Sequence, residues 1–327
     1  MTLRSRPLVS VIVCVYNGDK FLRETLDSAL AQSMADLEVL AVDDGSTDGS
    51  LDLLNSYDQP RLRIIRRQHA GVVAALNAGL EGARGEYIAF LDQDDLWAAD
   101  KLEAHCRAFD DCPDLDLTFS WYQLVNENSG LIGVHPRQCY GRFTYDSLLS
   151  DYVIGPTSTA VMKLEALRRS GLADPAFRAY YDVDLFLRTA LLRPGNIAVI
   201  PRRLTMYRRH SGQMSKDWRS LQQEWRRLLS KHRRIAPEAT ALAEKRADSN
   251  MTRYFAYLAY EARDFGCAFD LLLGSLRRSP GVFLSDLRNW RAAAASLSGV
   301  IIPARLHRRL EHLAGLGGET VFGNHLG

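Results

Sequence analysis

The sequence predicts an α/β fold in which helices flank a mainly parallel, Rossmann-like sheet, followed by a helical C-terminal region. Three observations support it. Apolar runs of strand length alternate with segments of helical spacing, several of these runs end abruptly in acidic or amide side chains, and beyond Ser215 helical spacing predominates. Continuous apolar runs between glycine and polar clusters are typical of strands covered on both faces. Their alternation with helices favours parallel order.

Each element of this alternation has a recognisable extent. Strands are predicted at residues 8–15, 37–42, 62–65 and 87–91, and helices at 21–30, 50–57, 71–80 and 98–109. Residues 121–158 are irregular in pattern, with a hairpin turn at 126–130, and a loop at 155–159 follows. A strand at 160–162, a helix that begins near Asp182 and a strand at 197–200 complete the predicted first domain.

Polar side chains follow three of the predicted strands. They are Tyr16 and Asn17 after the first strand, Asp43 and Asp44 after the second, and Asp92, Asp94 and Asp95 after the fourth. In parallel sheets ligands bind beyond the carboxyl ends of the strands. Mg²⁺ and Mn²⁺ prefer oxygen ligands and are often held by one or two carboxylates and substrate phosphates. The pattern therefore predicts a nucleotide-diphosphate site; the alternative for the last acidic cluster is a solvated turn.

Four segments in this order resemble the glycosyltransferases of family 2. They are residues 9–17, residues 42–48, Asn77-Ala78-Gly79, and residues 90–95 with their D-x-D pattern. The similarity extends over roughly residues 8 to 215. Members of this family are inverting enzymes with the GT-A fold, so the resemblance implies both.

The resemblance also implies roles for residues near a nucleotide-sugar donor. Tyr16 would lie against a uracil or thymine ring, and Asp43 or Asp44 would bind its imide edge. Asp92 would face ribose or metal, Asp94 would ligate Mn²⁺ or Mg²⁺, and Asp95 would support them. The full nucleotide-binding set implied is Val15, Tyr16, Asn17, Asp43, Asp44, Asn77 and Asp92. Leu76 departs from the family, in which many members carry an arginine there.

An inverting sugar transfer needs a carboxylate that accepts the proton of the attacking hydroxyl. Asp182 matches the family's catalytic aspartate, and Asp184 matches a second acid and is the alternative base. Tyr181 stands where the family usually has glutamate. Without the resemblance, Asp182 and Asp184 are also explained as acids that favour a helix N-terminus.

A closing motif, Y-R-x-H-x-x-x-x-S, spans residues 207–215. Its Arg208 and His210 are expected to neutralise the leaving diphosphate, to complete the metal shell (His210), or to fix the loop at the active site.

Charge and composition divide the chain. Residues 1–215 form the expected catalytic domain, with a nucleotide-binding part at about 1–120 and an acceptor part at about 121–215; residues 216–327 form a basic helical region. The net charge is −9 over residues 1–200 and +11 over residues 201–327. Contact with phosphates, with an anionic acceptor or with an anionic membrane surface is one explanation of the basic region, and solvated arginine-rich helices are the other.

Together with these observations, the resemblance implies a metal-dependent inverting glycosyltransferase that uses a UDP- or dTDP-linked sugar and a saccharide or lipid-linked acceptor in cell-surface polysaccharide synthesis. The alternatives are a sugar nucleotidyltransferase and an inactive sugar-binding subunit. A Rossmann dehydrogenase is disfavoured because G-x-G-x-x-G is absent. We expect no nucleic-acid partner. Five cysteines without a C-x-x-C pair, and no signal-peptide pattern or membrane-length apolar run, predict a cytoplasmic location or the inner membrane face.

Overall fold

The computed structural model describes residues 6–134, 139–210, 212 and 217–302. The chain divides into two compact units, the first formed by Met1–Tyr145 and Ile154–Gly212 and the second by Asp146–Val153 and Gln213–Gly327. The division after Gly212 lies close to the expected boundary at residue 215. Residues 146–153, which we assigned to the acceptor part of the catalytic domain, instead belong to the second unit.

The first unit contains all the strands of the described residues. They are β1 Val9–Val15, β2 Leu37–Asp43, β3 Leu62–Arg66, β4 Tyr87–Asp92, β5 Leu96–Trp97, β6 Leu117–Val125, β7 Leu131–Val134, β8 Arg142–Phe143, β9 Ala160–Lys163 and β10 Ile197–Arg208. Its helices are α1 Asp19–Leu30, α2 Ser50–Asn55, α3 Val72–Gly82, α4 Lys101–Asp111, α6 Leu164–Ser170 and α7 Tyr181–Ala190, with a 3₁₀ turn at Thr157–Thr159.

The sheet has the strand order β3-β2-β1-β4-β9-β6-β10-β5, with β7 beside β6 and β8 beside β10. The four strands from β3 to β4 are parallel, as predicted. The chain runs outward from β1 through β2 to β3 and then returns to β4 on the other side of β1. Such a reversal of strand order creates a crevice at the carboxyl ends of the strands, which is where ligands bind in open α/β sheets.

Beyond β4 the sheet differs from the expectation in two segments, and it is mixed because β9 runs antiparallel to both β4 and β6. Residues 121–158, which we expected to be irregular, contain most of β6, together with β7, β8 and a short helix at Tyr145–Ser150. The strand expected at 197–200 continues to Arg208 and carries Tyr207 and Arg208 within the sheet. The predicted turn at 126–130 is present, since the Asn126 N–H donates to Gly130 O at 2.8 Å.

Apolar packing against the parallel strands positions the first helices. The buried side of α1 includes Leu22 and Leu26, which belong to the same core cluster as Val11 and Val13 of β1. On α3, Gly79 allows a close approach to the sheet: a Cβ atom there would lie 2.5 Å from Ile12 Cγ2. The Asn77-Ala78-Gly79 segment thus owes its glycine to helix–sheet packing.

The second unit is helical in its described residues. Its helices are α5 Tyr145–Ser150, which begins at the end of the first unit, and α8 Trp218–Ile235, α9 Pro237–Glu261, α10 Phe265–Arg278, α11 Pro280–Leu284 and α12 Leu287–Ile301. Its core includes Trp225, Leu228 and Phe255. Within the described residues, every helix is too short or too polar to cross a membrane.

Candidate active site

The strand register brings the predicted site residues to one edge of the sheet. Val15 at the end of β1 lies opposite Asp43 of β2, and Cys14 lies opposite Asp92 of β4. The residues that follow these positions therefore leave the sheet at nearly the same level. The predicted nucleotide-binding and metal-binding segments meet at the crevice between β1 and β4.

Tyr16 and His69 form a wall of two stacked rings near the end of β1. The ring of Tyr16 is 41% exposed and stacks on His69, with 4.0 Å between ring centroids. The buried Asp44 carboxylate lies 2.9 Å from His69 Nδ1 and accepts a hydrogen bond of 2.7 Å from the Gly71 N–H. Asp44 thus holds the loop that carries His69. His69 is not among the predicted site residues, although it follows the third strand as Tyr16 follows the first.

Two buried polar atoms beside this wall have no hydrogen-bond partner in the described residues. They are Asp43 Oδ2, an acceptor, and Arg67 Nη1, a donor. The other groups of these side chains are engaged, since Asp43 Oδ1 accepts from the Ser46 N–H at 3.2 Å and Arg67 Nε lies 3.3 Å from Asp44. Unpaired buried polar groups are rare, so this pair calls for an explanation.

Gln93, the central residue of the D-x-D pattern, joins this wall to the acidic strand end. Its side chain accepts from the Tyr16 N–H at 2.9 Å and donates to Tyr16 O at 3.1 Å. Asn17 has a left-handed backbone with φ of 49°, and its Oδ1 accepts from the Thr47 N–H at 2.8 Å. Asn17 therefore joins the loop after β1 to the loop after β2 through its own side chain.

Asn77 has a different place from the one expected. Its amide donates to Ala173 O at 2.8 Å and accepts from the Ala173 N–H at 3.0 Å. Both ends of the side chain are therefore occupied by the backbone that precedes α7. In this structure Asn77 fixes that segment. To contact a nucleotide, the Asn77 side chain would have to break its hydrogen bonds to Ala173.

The acids after β4 are close enough to affect one another. Burial, together with the charges of Asp94 and Asp182, raises the pKa of Asp92 to about 7. Burial, with the charges of Asp94 and Asp92, also raises the pKa of Asp95 well above its ordinary value. Asp95 is fully buried and accepts from Ser158 Oγ at 2.6 Å. A cluster of this kind favours a bound cation because a positive charge offsets the repulsion.

His210 meets this cluster directly. Its Nε2 lies 2.8 Å from Asp94 Oδ2, and its ring lies against Phe21 at 5.0 Å between centroids. A histidine in this position orients the carboxylate. His210 was expected to bind a metal ion. To do so through Nε2, it would have to give up its contact with Asp94.

Arg208 does not face the crevice. Its side chain is fully buried, donates to Asp94 O at 2.7 Å and Ser129 Oγ at 3.0 Å, and lies 3.0 Å from Glu24. The guanidinium also lies over the Phe21 ring at 4.6 Å. Of the roles expected for Arg208, contact with the diphosphate is not supported, because the group is enclosed. The structure instead shows it holding the loop after β4.

Asp182 lies at the start of α7, near the same acids. Its Oδ2 accepts from Thr157 Oγ1 at 2.7 Å, and burial raises its pKa above the ordinary value for aspartate. Asp184 is fully buried and pairs with Arg188 at 2.8 Å. This ion pair commits Asp184 to packing within α7, so the geometry favours Asp182 over the alternative base.

Tyr181, which replaces the family's usual glutamate, is also buried beside these acids. Burial, with the charges of Asp92 and Asp182, raises the pKa of Tyr181 well above its ordinary value, so the phenol keeps its proton. The substitution therefore places a neutral group next to Asp182 where a second negative charge would otherwise lie.

A buried amine, which was not among the predicted site residues, lies near the acidic end of β4. Lys101 is fully buried, and its Nζ donates to Thr159 O at 3.0 Å and lies 3.2 Å from His105 Nε2. Burial lowers the pKa of Lys101 well below its ordinary value. The sequence contains an indication of this: Lys101, His105 and Phe109 are spaced four residues apart, which places them on one face of a helix that includes apolar Phe109.

The residues present suit a divalent cation that arrives with its substrate. Among the described residues, no three His, Cys, Asp or Glu side chains form a complete metal site. The donor set of Asp94 and Asp92 nevertheless has the oxygen chemistry that Mg²⁺ and Mn²⁺ prefer, and the crowding of these acids is what a cation would relieve. Diphosphate oxygens and water would supply the remaining ligands.

Comparison with known proteins agrees with this geometry. A family model described as glycosyl transferase family 2 matches residues 10–171. WfgD of Escherichia coli, a UDP-Glc:α-D-GlcNAc-diphosphoundecaprenol β-1,3-glucosyltransferase, is 30% identical over 196 residues, 59% of this chain and 73% of the relative. TuaG of Bacillus subtilis, a putative teichuronic acid biosynthesis glycosyltransferase, is 35% identical over 155 residues, 46% of this chain and 60% of the relative.

A solved structure shares the architecture. Staphylococcus aureus TarS 1–349 in complex with UDP superposes with a TM-score of 0.60 at 18% identity, covering 94% of this chain and 91% of that one. At this identity the likeness concerns the fold. The chain spans only part of several curated relatives, including 60% of TuaG and 58% of an uncharacterized glycosyltransferase of Rickettsia typhi.

The mixed sheet, with its crevice beside β1 and an acidic strand end, defines a GT-A fold. The chain belongs to glycosyl transferase family 2.

Proposed function

We propose that the chain is a metal-dependent, inverting glycosyltransferase that moves a sugar from a UDP- or dTDP-linked donor to a hydroxyl of a saccharide or lipid-linked acceptor. One observation carries the proposal. Adjacent residues of one turn contact both Asp182 on α7 and Asp92 at the end of β4. Thr157 Oγ1 donates to Asp182 Oδ2 at 2.7 Å, and Ser158 Oγ accepts from the Asp92 N–H at 3.0 Å. A candidate base thus lies beside a candidate metal site, as an inverting transfer requires.

The unpartnered atoms near Tyr16 support a uracil or thymine base. The imide edge of these bases offers one N–H donor between two carbonyl acceptors. Asp43 Oδ2 is an unpaired acceptor and Arg67 Nη1 an unpaired donor, so together they match that alternation. Both atoms are buried, so the chain around them would have to open to admit the base. Arg67 is then the basic group at the nucleotide, although Leu76 replaces the family's arginine. Cytosine and adenine lack this ring N–H.

The proposed chemistry divides among residues of the first unit. Tyr16 stacks on the base, Asp43 and Arg67 bind its edge, and Asp94, oriented by His210, holds the cation with Asp92. When bound, the metal offsets the negative charge of the leaving diphosphate. Asp182 accepts the proton of the acceptor hydroxyl while that oxygen bonds to the anomeric carbon and the bond from this carbon to the diphosphate breaks.

The names of the relatives suggest the substrates for a test. UDP-glucose and UDP-GlcNAc would be offered with Mn²⁺ and GlcNAc-diphosphoundecaprenol, and the glycolipid product and released UDP would be measured. Transfer with inversion supports the proposal. Formation of UDP-glucose from UTP and glucose 1-phosphate would instead identify a nucleotidyltransferase. If the protein binds the donor but neither transfers the sugar nor slowly hydrolyses the donor, it is an inactive sugar-binding subunit.

We also propose that the second unit contacts an anionic membrane surface, which would place the enzyme at the inner face of the cell membrane near lipid-linked acceptors. The supporting observation is a row of exposed apolar side chains along α12. Leu287 is 71% exposed, Trp290 47% and Ile301 70%. Leu297 is also exposed, and the four positions share one side of the helix. We call Leu287, Trp290, Leu297 and Ile301 the α12 apolar face.

A further inference from the structure

The 3₁₀ turn at Thr157–Thr159 contains three consecutive buried hydroxyl side chains. Gly155 precedes the turn with a φ of +77°, and a Cβ atom there would lie 2.5 Å from the ring of Tyr122. Glycine at position 155 therefore permits both this backbone conformation and the close approach to Tyr122. A turn with this restraint has a defined position relative to β6.

Two of the hydroxyl groups contact different parts of the candidate site. Thr157 Oγ1 donates to Asp182 Oδ2 at 2.7 Å. Ser158 Oγ donates to Asp95 Oδ2 at 2.6 Å and accepts from the Asp92 N–H at 3.0 Å. The candidate base and the acidic end of β4 are thus bonded to adjacent residues of one turn.

Thr159, the third residue, anchors the turn through hydrogen bonds to its surroundings. Thr159 Oγ1 donates to Ile154 O and to Pro156 O, both at 2.8 Å, and Thr159 O accepts from Lys101 Nζ at 3.0 Å. Lys101 also donates to Thr205 Oγ1 of β10 at 3.2 Å. Because these groups are buried, any shift of the turn would leave polar atoms unpaired, which is costly.

We propose that Thr157 is a positioning residue for Asp182 in the transfer reaction. Its hydroxyl donates to one carboxylate oxygen, while the Val183 N–H donates to the other at 2.8 Å. These two bonds set the rotation of the carboxylate, and the turn sets its distance from the metal-binding end of β4. Thr157 keeps its own proton throughout, and Asp182 receives the proton of the acceptor hydroxyl. This inference rests on the proposed function, in which Asp182 is the base.

The test compares Thr157→Val, which keeps the shape and removes the hydroxyl, with Thr157→Ser, which keeps the hydroxyl. Thr189→Val is the matched control: Thr189 is a fully buried threonine of α7 whose hydroxyl donates to Leu185 O at 2.9 Å, away from Asp182. Each variant would be measured for the Kd of UDP with Mn²⁺, for kcat and acceptor KM, and for Tm.

We expect Thr157→Val to lower kcat on the order of 10- to 100-fold, because small misplacements of a catalytic group cost about that much. The Kd of UDP should stay within about twofold of the wild-type value, and Thr157→Ser should recover most of the kcat. Thr189→Val should lower Tm comparably and leave kcat nearly unchanged. In an Asp182→Asn background, Thr157→Val should have no further effect on kcat.

Three results would overturn the inference: wild-type kcat in Thr157→Val, equal losses in the valine and serine variants, or a loss in Thr189→Val as large as that in Thr157→Val. If Thr157→Val does not fold, Thr157→Ser in the wild-type and Asp182→Asn backgrounds still tests the inference. The inference requires that any decrease in kcat caused by Thr157→Ser disappears when Asp182 is replaced. Full activity of Asp182→Asn itself would instead contradict the proposed function.

Discussion

At the scale of single residues, the site is organised around carboxylates that share a small volume. Asp92, Asp94, Asp95 and Asp182 would repel one another if all were ionised. Burial and this repulsion raise the pKa values of Asp92 and Asp95, and burial raises the pKa of Asp182. Two of these acids accept hydrogen bonds from neutral hydroxyl groups: Asp182 from Thr157 and Asp95 from Ser158. Asp94, bonded to His210, is the acid most available to a cation.

Replacing Asp94 with alanine should therefore abolish metal-dependent donor binding, because the variant lacks this proposed ligand. Calorimetry with UDP in the presence and absence of Mn²⁺ measures the effect. Asp114→Ala is the control, since Asp114 is an exposed carboxylate of the same unit that pairs with Arg142. Unchanged affinity and unchanged metal dependence in Asp94→Ala would remove Asp94 from the metal site.

Replacing Asp182 with asparagine should lower the single-turnover transfer rate by roughly two to four orders of magnitude, the usual reach of general base catalysis. UDP and Mn²⁺ should still bind. Because burial raises the pKa of Asp182, the wild-type rate should decline, as pH is lowered, at a higher pH than for an ordinary aspartate. A near-normal rate in the variant would mean that another group accepts the proton.

The sequence located most of these residues but not their orientations. Strand ends can be identified from where an apolar run stops, so Tyr16, Asp43 and Asp92 were predictable. The burial of Arg208 and the pairing of Asp184 with Arg188 depend on which neighbours the fold brings close. A charged residue in a motif looks the same in sequence whether it faces a ligand or an internal partner.

At the scale of elements, the same limit applies to strand direction. The apolar runs of β1, β2 and β4 identify buried strands, and the helices between them imply parallel order. The run of β9 carries no comparable information, because an apolar strand can pair in either direction. The long β10 was also underestimated, since polar residues such as Arg202 and Arg203 interrupt its apolar pattern.

Within the second unit, Asp286 should stabilise the start of α12. It is the N-cap residue, accepting from the Arg288 N–H at 2.9 Å, and it pairs with Arg288 at 2.7 Å and Arg253 at 3.2 Å. Burial alone would raise its pKa, but the hydrogen bonds of Arg288 and the charge of Arg253 outweigh it and lower the pKa to about 2. Asp286→Ala should therefore cost about 1 kcal/mol in the free energy of unfolding.

The pH dependence of this contribution separates capping from charge pairing. Because the pKa of Asp286 is lower in the folded state, its ionic contribution is complete above the ordinary value of 3.8 and is lost as pH falls toward 2. Asp286→Asn keeps a capping oxygen and should be less destabilising than alanine at neutral pH. Urea unfolding would measure each variant against Asp248→Ala, an exposed partner of Arg278. Equal stability of Asp286→Ala and wild type would contradict the assignment.

At the scale of the whole molecule, charge and exposed apolar area are distributed unevenly along the chain. The acidic residues 1–200 carry the candidate nucleotide site, whereas residues 201–327 carry a net charge of +11. Contiguous exposed apolar area is uncommon on a protein surface without a partner. Basic side chains next to an apolar helix face are typical of a segment that lies at a membrane interface. The α12 apolar face, with the exposed Arg291 beside it, has this composition.

We therefore expect the protein to sediment with anionic vesicles at low salt and to be released as the salt concentration rises. Each cationic side chain near an anionic leaflet contributes about 1 kcal/mol, and a large apolar side chain contributes about 1.5 to 3 kcal/mol when fully removed from water. Replacing Trp290 and Ile301 with serine should then weaken partitioning by roughly tenfold or more. Leu242→Ser is the matched control, because Leu242 is 83% exposed on α9 and lies outside the α12 apolar face. Sedimentation that is absent with anionic vesicles, or equal in the double variant and the wild type, would show that α12 does not bind membranes.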